Sequence, residues 1–321
     1  MGRILSLVAF LVVVLFLSLG SFSIRAARAA DVDNLIAREM VHEGVKRKYF
    51  IHAPASYDPG RPVPLVMVFH DRDQDAAEIS EITGFNTISD GGAFIVVYPE
   101  AVKGVWNDGR KGSWAHLYDD IGFVEKLVDR LEIKWNIDTK RVYACGLGDG
   151  GFFCQSLAVN RPNKITAVAS VSATLPEIVY HKRKPLAPVS VLFVVGMKDP
   201  IVPYEGGAID PGKLKHGLGR VVSASQAVDF WVKANKCAGR YEQGLLPDLD
   251  PTDSTRVRWV QYRDCAGQSE VVLMAVEEGG HGWPGSKKEL SSRKFGSTCK
   301  DFDGAQEIWR FFSRRKLANS R

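Results

Sequence analysis

The segment Arg141-Val142-Tyr143-Ala144-Cys145-Gly146-Leu147-Gly148-Asp149-Gly150-Gly151-Phe152-Phe153 leaves this chain the fewest folding options. A β-rich run enters a glycine-dense turn, and a helical pattern leaves it. Small residues two before and two after a central position permit a strained strand-to-helix turn that lifts the central side chain out of a sheet. Gly146 and Gly150 are those small residues. The central position, where such a turn carries a nucleophilic Ser, is Gly148. The segment has the build of a nucleophile elbow without its reactive atom.

The flanking pattern alternates strands with helices. Residues 47–52 alternate like an outer strand ended by Ala53-Pro54, and Leu65-Val66-Met67-Val68-Phe69-His70 runs apolar like a central parallel strand covered on both faces. A helical stretch over 76–89 leads to a buried strand over 94–98, stopped by Pro99. A long loop, 101–116, holds Trp106 and Trp114, and 119–135 shows helical spacing in Ile121, Val124, Leu127, Val128 and Leu131. Beyond the elbow the pattern predicts helices over 150–160, 224–235 and 304–312, and strands over 165–170, 189–195, 256–262 and 271–276. Such alternation implies an α/β fold with a mostly parallel central sheet, right-handed crossovers and flanking helices. No linker interrupts it, so 30–321 reads as a single domain.

Residues 4–24 are almost wholly apolar, preceded by Arg3 and followed by Arg25, Arg28 and an Ala-x-Ala site at Ala27 and Ala29. This reads as a secretory signal peptide over 1–29, giving a secreted or periplasmic protein. The alternative is an uncleaved membrane anchor, because the run approaches the roughly 20 residues of a bilayer span. Loss of Arg3, Arg25 and Arg28 lowers the formal net charge from +5 to +2, which leaves no electrostatic footprint for nucleic acid. Export permits disulfides among Cys145, Cys154, Cys237, Cys265 and Cys299. None forms a Cys-x-x-Cys pair, so a zinc ribbon is disfavoured. Cys237 and Cys265, in polar, loop-like surroundings, form the best pair, and Cys145 reads as a buried small hydrophobe. The pairing of Cys145, Cys154 and Cys299 stays open.

Downstream of the elbow, Asp199 follows the apolar run Val191-Leu192-Phe193-Val194-Val195, and His281 lies in the glycine loop Gly279-Gly280-His281-Gly282-Trp283-Pro284-Gly285. Nucleophile position, acid, histidine is the chain order of a hydrolytic triad built at strand ends. With Asp119-Asp120-Ile121-Gly122-Phe123-Val124, Arg141-Val142-Tyr143, Asp199-Pro200-Ile201-Val202-Pro203-Tyr204 and His281-Gly282-Trp283-Pro284-Gly285, the chain from about Lys46 to Phe312 resembles the secreted poly(3-hydroxybutyrate) (PHB) depolymerase and feruloyl esterase group of the α/β-hydrolases. The resemblance implies an α/β-hydrolase fold and ester cleavage through an acyl-enzyme, with Ser attacking, His281 as base and Asp199 orienting it. It also implies a Cys237–Cys265 bridge and no cofactor or metal.

Two departures fall on the chemistry. The Ser position is Gly148, and the glycine-rich turn of the family's oxyanion hole is replaced by Asp71-Arg72-Asp73. A carboxylate at Asp71 opposes the charge that an oxyanion hole stabilises, although backbone N–H groups near Asp71, Arg72 and Asp149 survive substitution. Asp149 is disfavoured as a substitute nucleophile because Leu147 breaks the small-residue spacing, and it suits a helix N-terminus. A dinucleotide reading of Gly146-Leu147-Gly148-Asp149-Gly150-Gly151 fails for want of an acid about 20 residues on. Trp283 and Trp106 are candidate walls of a substrate groove. The expectation is a family member impaired or dead in catalysis that still binds an ester, either a hydroxyalkanoate polymer or a feruloylated conjugate. The alternatives are an active carboxylic ester hydrolase in which Gly148 is bypassed or substituted, and an exported structural or partner-binding domain. A Gly148→Ser substitution is expected to restore hydrolysis, with Asp71→Gly helping further.

Overall fold

The computed structural model of the protein describes residues 35–110, 114–209, 218–288 and 291–317. The segment read as a signal peptide and the side chain of Trp114 lie outside the described residues. The described residues from Ala37 onward form one compact unit. Its strands are β1 (Ile36–His42), β2 (Val45–His52), β3 (Val63–Phe69), β4 (Ile95–Pro99), β5 (Ile137–Leu147), β6 (Ala167–Val171), β7 (Ser190–Gly196), β8 (Gly207–Ala208), β9 (Arg220–Val221), β10 (Glu242–Leu245), β11 (Arg256–Tyr262) and β12 (Val271–Glu277).

Ten of them make one sheet in the order β1-β2-β4-β3-β5-β6-β7-β12-β11-β10. The six central strands, β4 through β12, are mutually parallel, while β2 and the β11–β10 pair join antiparallel at the two sides. Every residue of β3, β4, β6 and β7 is buried, which explains why these strands read as continuous apolar runs. Helices Asp120–Trp135, Asp149–Asn160, Ala224–Ala234 and Gly304–Ser313 fall where the spacing predicts them, within one residue at each start and end. The stretch expected as one helix over 76–89 is two, Ala76–Thr83 and Phe85–Gly92, because Gly84 adopts a left-handed conformation between them. Edge strands β1 and β10 and the β8–β9 pair were not expected; they are short or largely exposed, so they carry little apolar pattern. Among the described residues, no helix is long and apolar enough to cross a membrane.

Register sets up the site. Phe69 at the end of β3 pairs with Gly146 in β5, so Asp71 and Gly148 each lie two residues past a paired position. Gly196 of β7 pairs with Val276 of β12, and Asp199 and His281 follow on adjacent loops. Four loops thus leave the same edge of the parallel core.

Candidate active site

The turn at the end of β5 is as tight as its glycines imply. A Cβ at Gly146 would lie 2.4 Å from the Gly150 carbonyl carbon, and one at Gly150 would lie 2.2 Å from the Phe69 oxygen. Gly148 sits at φ 50, ψ −114, a conformation that strains any residue with a side chain. Its N–H donates to Val171 O at 2.9 Å, and helix Asp149–Asn160 starts directly after it.

His281 is 3% exposed and lies between two carboxylates. Its Nδ1 is 2.8 Å from Asp199 Oδ2, and its Nε2 is 3.1 Å from Asp71 Oδ2. Asp199 is oriented in turn, since Oδ1 accepts the N–H groups of Ile201 and Val202 at 2.8 and 2.9 Å. Two anions hold a proton on the imidazole. Burial opposes the charge, but hydrogen bonds to Asp199 and Asp71, and their charges, raise the pKa of His281 to about 10.

Asp71 is the unexpected partner. Its Oδ1 accepts the N–H of Arg72 at 2.7 Å and that of Asp149 at 2.8 Å. These are the backbone donors that the elbow geometry offers to an oxyanion, the second being the residue after the nucleophile position. Burial alone would raise the Asp71 pKa, yet the hydrogen bond and charge of His281 and the two N–H groups outweigh it and hold it below the ordinary carboxylate value. A Cβ on Gly148 would meet Asp71 Oδ1 at 2.1 Å. The Asp71 carboxylate therefore stands where the nucleophile side chain would be, and it fills the oxyanion hole as well.

Neighbouring groups fix Asp71 from behind. The His70 Nδ1–H donates to Asp71 O at 2.7 Å, and His70 Nε2 accepts the Ala101 N–H at 3.0 Å. Burial lowers the His70 pKa, which keeps that ring neutral in this tautomer. The Asp71 N–H donates to Gln74 Oε1 at 3.1 Å.

Asp149 is buried between two arginines. Arg110 Nη2 is 2.5 Å from its Oδ1, and Arg72 Nη2 lies 2.7 Å from its Oδ2 as a charge contact outside hydrogen-bond alignment. Burial raises the Asp149 pKa, and the two guanidiniums oppose that rise. Arg110 also binds Asp108 at 2.6 Å and lies over the Phe152 ring at 4.4 Å. A helix-terminus acid was expected at Asp149; two arginines, rather than the helix dipole alone, hold it.

Three expectations are corrected. His281 does not face Gly148 directly, because Asp71 stands between them. The backbone hole at Asp71, Arg72 and Asp149 is present but occupied from within. Trp106 and Trp283, read as groove walls, are each 1% exposed. Trp106 stacks on Phe153 and donates its Nε1–H to His70 O, and Trp283 packs edge-on against Phe85. Both belong to the packing beneath the loops. Cys237 and Cys265 are joined in a disulfide, and Cys145, Cys154 and Cys299 are buried free thiols. Arg110, Asp108 and His70 were not singled out by sequence, and no local spacing marks them. Among the described residues, His42, Glu43 and Asp119 bring metal-ligand-type atoms within 4.8 Å of one another, but Asp119 is already bonded to His42 and to the Gly122 N–H.

A parallel core with antiparallel edges, an elbow after β5, an acid after β7 and a histidine after β12 define an α/β-hydrolase. Residues 49–200 match the family described as Esterase PHB depolymerase. The chain is 28% identical over 288 residues to the putative esterase NocK of Nocardia uniformis subsp. tsuyamanensis, covering 84% of this chain and 80% of that protein. It is 24% identical to feruloyl esterase D of Neurospora crassa, covering 84% and 83%. It spans less than half the length of two further relatives that it matches. Acetyl xylan esterase from Aspergillus awamori shares the fold, with a TM-score of 0.56 at 10% identity, covering 87% of this chain and 99% of that one. The match over 49–200 and these relatives make the chain similar to PHB depolymerases and feruloyl esterases among the α/β-hydrolases, which supports a site that acts on carboxylic esters.

Proposed function

We propose that this protein is an exported family member that has lost acyl transfer while keeping the framework of the ester site. One observation carries the reading: the Asp71 carboxylate occupies both the nucleophile's place and the N–H groups that would stabilise a tetrahedral oxyanion. Loss of the Ser nucleophile alone costs about a millionfold in kcat in the subtilisin example, or ~8 kcal/mol of barrier. Filling the hole removes a further preorganised electrostatic contribution, usually the largest in such chemistry. Asp149 offers no substitute, since both its oxygens face arginines.

Its relatives are named for feruloyl and other esters, and carboxylic esters of that kind are the ligand class we assign to the surroundings of the site. Export follows from the apolar run and Ala-x-Ala site before Asp31. The test is direct. Purified protein is expected to show no hydrolysis of p-nitrophenyl butyrate above background and no labelling by a fluorophosphonate; turnover at serine-esterase rates would overturn the reading.

A further inference from the structure

Occupied as it is, the site is not chemically idle. A carboxylate can itself act as a nucleophile. Asp71 keeps 17% of its side chain exposed while His281 and Asp199 are at 3% and 2%, so it is the member of the trio that an incoming molecule meets. Its Oδ1 is held by two backbone N–H groups, and its Oδ2 faces the histidine. Attack on an acyl carbon needs an oxyanion hole for the substrate carbonyl, and that hole is taken. Displacement at a saturated carbon places no charge on a carbonyl and needs none.

We propose that the site opens epoxides through a covalent ester on Asp71. Asp71 Oδ2 forms a bond to one ring carbon, the carbon–oxygen bond of the epoxide breaks, and the departing alkoxide takes the proton from His281 Nε2. The product of this step is a hydroxyalkyl ester of Asp71 and a neutral imidazole. His281, held by Asp199 through Nδ1, then takes a proton from water as the water oxygen bonds to Asp71 Cγ. The negative charge develops on Oδ1, where the Arg72 and Asp149 N–H groups already point. Collapse breaks the Cγ–Oδ2 bond, and the diol leaves with the proton from His281. The new Asp71 carboxylic acid returns its proton to His281, restoring the starting state. Epoxide plus water gives diol, and one product oxygen comes from the protein.

The two protonation states of His281 suit the two steps. With Asp71 ionised, the ring sits between two anions and is protonated, as an acid must be. Esterification removes one of those anions, which lets the ring act as a base.

The inference rests on the site having lost acyl transfer, and its test separates the two claims. Whole protein, in excess over styrene oxide or 1,2-epoxybutane, is incubated in ¹⁸O-water, and the peptide ending at Arg72 is analysed by mass spectrometry. The expected result is diol formation with ¹⁸O located at Asp71, reduced to background in Asp71→Asn. In His281→Gln the hydroxyalkyl ester is expected to accumulate as a protein mass increased by one epoxide. If the unmodified protein forms no diol and takes up no label from either epoxide, the inference fails; diol without label at Asp71 also overturns it. Neither result touches the loss of acyl transfer, which falls only on turnover of the nitrophenyl ester.

Discussion

Replacing Asp71 by Asn keeps the side chain's size and removes one of the two anions on His281. In the unfolded chain His281 has an ordinary value of 6.5, and in the folded protein about 10. At about 1.4 kcal/mol per pH unit, this difference is worth about 5 kcal/mol of folding stability. Two carboxylates share the rise, so loss of one is expected to lower the folded value by roughly 2 pH units, or ~3 kcal/mol. The sign follows from linkage. A raised histidine pKa contributes fully below the unfolded value of 6.5 and is lost as pH climbs through about 10. Asp71 is shifted the other way, so its own contribution is present above its ordinary value of 3.8 and lost as pH falls through its lowered one. Urea unfolding of parent and Asp71→Asn, measured from pH 5 to pH 10.5, is expected to show a gap of ~3 kcal/mol below pH 6.5 that closes as pH passes 10. A ¹⁵N-histidine titration assigns the change to His281. Parallel stability curves across this range, or a parent His281 titrating near 6.5, would refute the clamp between Asp71 and Asp199.

Three further outcomes follow from the same geometry. Gly148→Ser alone, which the sequence leads one to expect would restore hydrolysis, is instead expected to lose about 3–5 kcal/mol by urea unfolding and to stay inert, because its Cβ would meet Asp71 Oδ1 at 2.1 Å on a backbone at φ 50; a stable variant would show that Asp71 yields freely. Arg110→Ala is expected to cost at least about 3 kcal/mol by leaving Asp149 and Asp108 short of a buried cation, whereas Arg72→Ala, at the half-buried end, costs less. Reduction of Cys237–Cys265, which are 28 residues apart, is expected to lower stability by ~3.5 kcal/mol on the chain-entropy estimate; calorimetry with and without reductant measures it.

Much of the architecture was legible because parallel buried strands are apolar throughout, and the elbow glycines are dictated by backbone contacts closer than a Cβ allows. Asp199 and His281 could be placed because each follows such a strand in triad order. What could not be read was distance across the sheet. Asp71 and Gly148 are neighbours only through the Phe69–Gly146 register, which no local pattern encodes. In hindsight the two departures form one signal: a side chain lost at Gly148 and one gained at Asp71 exchange volume at a single place. The aromatic loop misled for a related reason. Trp106 and Trp283 sit in glycine-rich segments near the chemistry, but their rings turn inward onto Phe153 and Phe85.

On the proposed function, Asp71 is what stands between this framework and acyl transfer. The most direct measurement compares four proteins, the parent, Gly148→Ser, Asp71→Gly and the double variant, for p-nitrophenyl butyrate hydrolysis and fluorophosphonate labelling. Removing the carboxylate empties the hole and clears the space, and the serine then meets a His281 still held by Asp199 at 2.8 Å. Only the double variant is expected to label and to turn over ester, with a gain of at least about a hundredfold over either single change, the size of one restored oxyanion-hole contribution. Activity in Gly148→Ser equal to that of the double variant would contradict this role of Asp71, as would a folded double variant that neither labels nor hydrolyses.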